Sequence, residues 1–552
     1  AIGIAIRVVT TYSYRSAFMF FGDSYAYIVA AQRFEPPNDR PFGYAAILRL
    51  FSTVCYIPLV IAVQHLMGLA LAIALYVVLI KRGTRPWIAA LASAPLLLDA
   101  YLIQMEHSLL TEAVFTALLA AAVFVATRRD LTWVSAAVAG GLLVAAASTR
   151  TVAIPIAALF LGYFLLRRIG WRAIVAFGLA VAMPLLGYMT WFAAVHGVFA
   201  TADNTGRFLY GRVAVFADCD GVDLTRNEAK LCERADPSLR PNANFYVWAA
   251  DSPLQSLNLS GQATDKVASS FSVKMILSQP LTYARYALTD TAHYFAPGRV
   301  LTRVDSPDTP WRFPTTTSNP IGSTSMAHND LRGDPIDPQI NPTGALFLRS
   351  YQAVVYTQGP ILLAGFLLGL AAGFLDRSRR RWDGPLAALV GLAVIAVPSF
   401  TVMFDYRYGL PAIPLLMYAG GIGASAVRER VLARRTAPVD ADLDEEWSQL
   451  NDEAAAPAPY VSTRAELGTL GAPLGSPVPD SSDDNVTIQR YMSGSIVSRD
   501  GHSVVVPTRY EDAIARFGGY GRLGVPTNRE HRSPYRSADR YLPLEKGVIF
   551  WS

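Results

Sequence analysis

Asp23 stands in Phe21-Gly-Asp-Ser-Tyr-Ala-Tyr27, just past a short apolar N-terminal stretch and just before the first complete apolar run. A carboxylate facing lipid is costly, so this one is expected to face water or a cavity, where it suits taking a proton from a hydroxyl. The position also suits a helix N-cap, because Asp satisfies free N–H groups of a first turn. Tyr25, Tyr27 and the Ala-rich run after them point to a short helix lying at a membrane surface. Arg40 follows in Asn38-Asp-Arg-Pro-Phe-Gly-Tyr44, where it either pairs with a phosphate or stays a solvated interface residue.

More candidate chemistry recurs at chain positions that flank apolar runs. Glu106, His107 and Glu112 surround one turn, with His107 and Glu112 five apart and so not on one helical face. Glu106 and His107 with Asp23 would form a metal site only through the tertiary fold; no ligand spacing marks one, so a divalent metal is left open. The alternative is that these residues line a cavity or cap a helix. Asp99 lies within an apolar run and must find a partner. Arg150, in Ser148-Thr-Arg-Thr151, and Arg407, in Asp405-Tyr-Arg-Tyr-Gly-Leu-Pro411, stand where the basic-residue orientation rule predicts few cations. Binding a lipid phosphate would account for both; a salt bridge to Asp405 is the alternative for Arg407.

The elements that must hold these residues are membrane helices. The chain of 552 residues is 52% hydrophobic and only 16% charged, against roughly 25% charged in soluble domains, and its mean hydropathy is +0.28. A remnant span over 1–9 and nine complete runs near 56–80, 87–104, 108–127, 132–149, 152–166, 172–195, 353–375, 384–403 and 409–427 predict about ten helices. The chain begins at Ala1 without Met, and the first span is expected to be truncated or processed. Short Arg-rich connections (81–85, 128–129, 167–172, 377–381 and 428–435) alternate with the connections that carry the candidate residues. The first set is expected in the cytoplasm, which puts the candidate site outside it. Basic residues placed this way are orientation signals, and no nucleic-acid-binding stripe is present.

The expected organisation is a transmembrane module over 1–196 with a catalytic external loop over 17–55, an extracytoplasmic α/β or mainly α insert over 197–350, and closing helices over 351–435. Within the insert, 265–294 reads as helix with Phe271, Ile276, Leu281 and Tyr286 on one face, and 297–344 as an ordered loop or lid. Cys219 and Cys232 flank a polar loop at a spacing that suits a local disulfide outside the cytoplasm; two free thiols are the alternative, and Cys55 reads as a small buried side chain. An acidic Ala/Pro/Ser linker over 436–485 is expected to be disordered, and 486–552 to fold as a small β-rich module. A P-loop, a dinucleotide-binding glycine pattern, a nucleophile elbow and a zinc-protease helix are all missing from the sequence.

Taken in order, Phe21-Gly-Asp-Ser-Tyr25, Pro41-Phe-Gly-Tyr44, Glu106 with Glu112, Ser148-Thr-Arg-Thr151 and Tyr406-Arg-Tyr-Gly-Leu-Pro-Ala-Ile-Pro414 resemble the GT-C superfamily of membrane glycosyltransferases over about residues 1–430. The resemblance implies a multi-pass protein of the cytoplasmic membrane with an extracytoplasmic site and a polyprenyl-phosphate-linked sugar as donor. It implies Asp23 as the base of an inverting transfer, Arg407 with Arg40 or Arg150 on the donor phosphate, and Glu106, His107, Glu112, Tyr44, Asp405 and Tyr408 around the pocket. The acceptor would be an envelope glycan, lipid or protein. The paired-acid motif of metal-dependent members is absent, so the resemblance leaves metal use open. Phe517-Gly-Gly-Tyr-Gly-Arg-Leu-Gly-Val-Pro-Thr527 with Leu544-Glu-Lys-Gly-Val-Ile-Phe-Trp-Ser552 is similar to the LGFP repeat of actinobacterial envelope proteins. That repeat's usual setting is outside the cell, whereas Arg428 to Arg435 predicts a cytoplasmic tail. Two other functions fit such a chain: a flippase for lipid-linked saccharides, against which the lack of internal repeats counts, and a scaffold that binds wall polymer.

Overall fold

The computed structural model describes residues 1–15, 17–20, 22–54, 57–299, 311–315, 340–375, 382–435, 470, 473–527, 530–532 and 540–551. The expectations for Cys55, for the arginines of 377–381, for most of 297–344 and for 436–469 lie outside the described residues. The chain divides into two units, 1–435 and 436–552.

The first unit is helical. It opens with α1 (Ile2–Ser13), α2 (Asp23–Arg33), α3 (Gly43–Val54), α4 (Ile57–Lys81), α5 (Pro86–Leu98), α6 (Ala100–Glu106), α7 (Glu112–Ala126), α8 (Trp133–Thr149), α9 (Ala153–Leu166) and α10 (Trp171–His196). Among the described residues α4, α10, Asp383–Thr401 and Tyr406–Val431 are long and apolar enough to cross a membrane, and two bent pairs bring the number to six. α1, α7, α8 and α9 are shorter apolar helices. Every expected span therefore has a helical counterpart, and the chain is a helical membrane protein, but two spans are not the straight helices anticipated.

Residues 87–104 break into α5 and α6 with a bend of 53°. Pro95 lies inside α5, and Asp99 ends it by accepting from the N–H groups of Tyr101 (2.8 Å) and Leu102 (3.1 Å) as the N-cap of α6. The same carboxylate takes the Thr357 N–H at 2.6 Å, which is the partner Asp99 required. Helix Pro342–Val354 meets Gly359–Leu375 at 50°. The latter packs on Ile413–Arg435 through glycines: a Cβ on Gly365 would meet the Leu416 carbonyl at 2.5 Å, and one on Gly423 the Leu368 carbonyl at 2.0 Å. At the end of the bundle where the Arg-rich loops lie, buried Asp383 pairs with Arg82 at 2.6 Å and accepts the Tyr163 hydroxyl at 2.5 Å.

The insert between α10 and Pro342 is helical among the described residues. The stretch read as one helix over 265–294 is two, Gly261–Ser278 and Pro280–His293, because Pro280 cannot continue the first. Phe271 is buried there, but Leu281 is 84% exposed and does not share its face. Cys219 and Cys232 are disulfide-bonded.

In the second unit, β1 (Val478–Asp480), β2 (Asp483–Tyr491), β3 (Gly494–Arg499) and β4 (His502–Pro507) form an antiparallel meander, with Ile488 opposite Val497 and Ile496 opposite Val505. β5 (His531–Arg532), β6 (Arg540–Leu544) and β7 (Gly547–Trp551) form a second antiparallel sheet. Val486, Val497, Val506, Tyr510, Leu542 and Leu544 share its core with two short helices, Thr508–Arg516 and Gly519–Leu523. The folded module thus starts earlier than 486, since β1 falls inside the expected linker.

Candidate active site

Asp23 occupies the first position of α2, after Gly22 with φ of 77°. That left-handed turn suits glycine and lets the chain enter the helix sharply. The next residue anchors it: Ser24 Oγ accepts the Phe20 N–H at 2.8 Å and donates to the Leu109 carbonyl at 2.9 Å. Alongside, Phe18 exchanges backbone hydrogen bonds with His107 and Leu109, a short strand-like pairing. The segment leading to Asp23 is therefore bonded to the turn that carries Glu106 and leads to Glu112.

Arg40 and Arg407 both reach Asp23. Arg40 Nη1 donates to one carboxylate oxygen at 2.9 Å and Arg407 Nη1 to the other at 2.9 Å, across 384 positions of sequence in the second case. Burial alone would raise the pKa of this carboxyl, but the charges of Arg407 and Arg40 outweigh it and hold it below the usual range. Asp23 is thus a firmly ionised carboxylate rather than a simple helix cap. Asp39 accepts from Arg40 through both oxygens, at 3.1 Å from Nε and 2.5 Å from Nη2.

Arg407 enters from the short helix Tyr406–Gly409, whose first turn is capped by Asp405, which accepts the Arg407 N–H at 3.1 Å. Its Nε lies 3.2 Å from Asp405 and 3.7 Å from Glu112. The salt bridge to Asp405 exists, then, alongside the pair with Asp23. The rings of Phe20, Trp311 and Tyr408 surround its guanidinium at 4.7, 4.9 and 5.1 Å. Arg150 donates to Glu112 at 2.6 Å and lies 4.8 Å above the Tyr408 ring. A close approach makes this possible: a Cβ on Gly43 would be 2.2 Å from Ser148 Oγ, so α3 and the end of α8 touch and bring Arg40 and Arg150 to one side.

Tyr44 is fully buried, edge-on to Tyr27, and its hydroxyl donates to Gln64 Oε1 at 2.8 Å. The Gln64 amide donates in turn to the carbonyls of Glu106 and Ser108. Tyr44 therefore supports the site from behind, with Arg40 5.3 Å from the Tyr27 ring.

Glu106 and His107 belong to a second buried network. Arg7 grips the Glu106 carboxylate with two bonds of 2.7 Å, His65 Nδ1 is 2.9 Å from it, and His65 Nε2 is 3.1 Å from His107 Nδ1. Arg7 also donates to the Leu96 and Leu97 carbonyls at the end of α5, so the network seals the helix break. Glu106 and Glu112 meet again in the wall of an apolar cavity lined by Met67, Leu71, Leu102 and Pro414. Among the described residues no group of three or more His, Cys, Asp and Glu side chains is placed to hold a metal ion.

Sequence reasoning missed Asp39 as the second partner of Arg40, and Phe20 and Trp311 around Arg407. Asp39 adjoins Arg40 and could have been read as its partner. Trp311 gave no signal, being far away in sequence within a Pro/Thr-rich stretch. Arg7 and His65 were also missed; an Arg inside an apolar N-terminal stretch was the available clue.

No protein-family model and no curated protein sequence matches the chain. Among solved structures it overlaps the oligosaccharyltransferase AglB of Archaeoglobus fulgidus, in complex with an inhibitory peptide and a dolichol-phosphate, at 9% identity and a TM-score of 0.33, covering 85% of this chain and 53% of that one. The apo form of the A. fulgidus oligosaccharyltransferase overlaps at 11% identity and a TM-score of 0.34. ArnT from Cupriavidus metallidurans, bound to undecaprenyl phosphate, overlaps at 12% identity and a TM-score of 0.29, covering 79% of each chain. The chain thus spans about half the length of the first two. At these scores the overlap establishes no shared fold.

Proposed function

We propose that this chain is an inverting glycosyltransferase of the GT-C superfamily, moving a sugar from a polyprenyl-phosphate donor to a hydroxyl of an envelope glycan, lipid or protein. One observation carries the reading: the Asp23 carboxylate, the Arg40 guanidinium and the Arg407 guanidinium, the last of them 384 positions from Asp23, converge in one partly buried cluster. A base candidate and phosphate-binding cations are the two components such a transfer needs.

In the reaction the Asp23 carboxylate takes the proton of the acceptor hydroxyl. The acceptor oxygen forms a bond to the anomeric carbon as the bond from that carbon to the phosphate oxygen breaks. The electron pair leaves on the polyprenyl phosphate, whose added negative charge Arg407, Arg40 and Arg150 stabilise. Phe20, Trp311 and Tyr408 hold the Arg407 guanidinium plane in place, so little reorganisation is needed as charge develops. The site lies on the extracytoplasmic face in this reading, with the insert selecting the acceptor. The C-terminal module is an LGFP-like unit on the cytoplasmic side.

The test is transfer from a panel of short-chain polyprenyl-phosphate sugars by the detergent-purified protein, with Asp23→Asn alongside. Turnover in the parent and its loss in the variant supports the reading. Equal turnover in both removes Asp23 from the chemistry, and absence of turnover with every donor, together with movement of a fluorescent lipid-linked saccharide across vesicles, replaces the transferase with a flippase.

A further inference from the structure

Each of the three arginines of the site already faces a carboxyl group. Arg40 uses Nε and Nη2 on Asp39 and Nη1 on Asp23. Arg407 uses Nη1 on Asp23, with Nε facing Asp405 and Glu112, and aromatic rings cover its faces. Arg150 is bonded to Glu112. Among the described residues, four carboxyl groups (Asp23, Asp39, Glu112 and Asp405) thus face these three guanidinium groups, and a phosphate reaching them meets cations that are already paired.

The carboxylates are not held equally. Asp39 is gripped by two bonds from one guanidinium, a geometry that resists displacement. Glu112 has only 3% of its side chain exposed, and Asp405 13% as it caps its helix. Asp23 takes a single bond from each arginine and has 23% of its side chain exposed. Asp39 is slightly more exposed, at 27%, but its two-bond grip holds it, so the two single-bond ion pairs of Asp23 are the ones an arriving anion breaks first.

We propose that the donor phosphate and Asp23 compete for Nη1 of Arg40 and Arg407, so that donor binding releases Asp23 and only then makes it an effective base. The inference rests on the transferase reading above and adds an order to it. While Asp23 is clamped by two cations it is a weak acceptor of protons, and an acceptor hydroxyl that arrives first is not activated. When the phosphate takes the arginines, the carboxylate loses both cations, gains a neighbouring anion, and its affinity for a proton rises. Premature activation of water is avoided by the same exchange.

The test is equilibrium binding of farnesyl phosphate to the detergent-purified full chain by calorimetry, in the parent, Asp23→Asn and Arg407→Gln. Competition predicts that Asp23→Asn binds about fivefold or more tightly than the parent, on the order of what removing one paired charge from a partly buried site changes. Equal or weaker binding by a folded Asp23→Asn overturns the exchange while leaving the transferase intact. If the parent does not bind, or Arg407→Gln binds as well as the parent, the underlying phosphate site fails and the exchange with it. A measurement on the parent alone guards against misfolding of the variant. The acid limb of kcat, which reports the donor-bound enzyme, is expected at higher pH than that of kcat/KM, which reports the free enzyme. Coincident limbs overturn the proposal.

Discussion

Asp23→Asn keeps the shape of the side chain and removes its basicity. Turnover should fall by about 10²- to 10⁴-fold, the usual contribution of a positioned base, when initial rates are measured at saturating donor. Arg407→Lys keeps the charge but loses the planar fork that reaches Asp23 and Asp405 at once. Its turnover should drop at least tenfold with the fold intact by circular dichroism, and full activity would remove the guanidinium geometry from the mechanism. Stability carries a pH signature of the same pair. The folded pKa of Asp23 is depressed below its unfolded value, so its ion pairs contribute stability above roughly pH 4 that is lost as pH falls through the folded value. Thermal unfolding in detergent should therefore lose more stability in acid for the parent than for Asp23→Asn. At this scale Asp23, Arg40, Glu112, Arg150 and Arg407 were legible because charges beside apolar runs demand a reason. The pair of Arg407 with Asp405 was open to a local reading, but that Asp23 joins Arg40 and Arg407 and that Glu112 joins Arg150 was not, because those pairings depend on distance in space.

The elements matter through two close approaches. Gly43 lets α3 touch Ser148, with a would-be Cβ 2.5 Å from its backbone carbonyl. Gly43→Val should destabilise the protein by about 1–3 kcal/mol through overpacking and weaken donor binding as Arg40 moves away from Arg150. A melting curve and a donor titration check both, and an unchanged melting temperature would sink the packing claim. Among the described residues, the expected apolar runs include the four helices long and apolar enough to cross a membrane, since length and composition decide what a bilayer accepts. Hydropathy did not locate the bends at Asp99 and between Val354 and Gly359, because these are decided by partners outside the helix, such as the Thr357 N–H on Asp99. Glu106 and His107 show the same limit. Their types suggested a site, and the fold uses them with Arg7 and His65 to close the break between α5 and α6.

For the molecule as a whole the sidedness of the site is the main prediction. With single cysteines introduced in a background lacking the native ones, Asn38→Cys should react with a membrane-impermeant maleimide in intact cells. Arg129→Cys should react only after permeabilisation. The reverse pattern would invert the proposed orientation. In the insert, Cys219→Ser with Cys232→Ser opens a bond between residues 13 apart and should cost about 3 kcal/mol of that region's stability by the loop-closure argument, read by proteolysis of the insert.

The sequence alone determined that this is a helical membrane protein with a small folded C-terminal unit, because burial in lipid and turn formation are local properties of composition and spacing. It also singled out the charged residues, since an ion near an apolar run is expensive wherever the chain goes. Only the tertiary structure decided that Asp23 sits between Arg40 and Arg407, that Glu112 joins Arg150 while Glu106 does not, and that Phe20 and Trp311 enclose the cation. Those contacts join segments as near as 17 residues, for Asp23 and Arg40, and as far as 384, for Asp23 and Arg407, and the distance between two charges, which sets their interaction, exists only once the helices have packed.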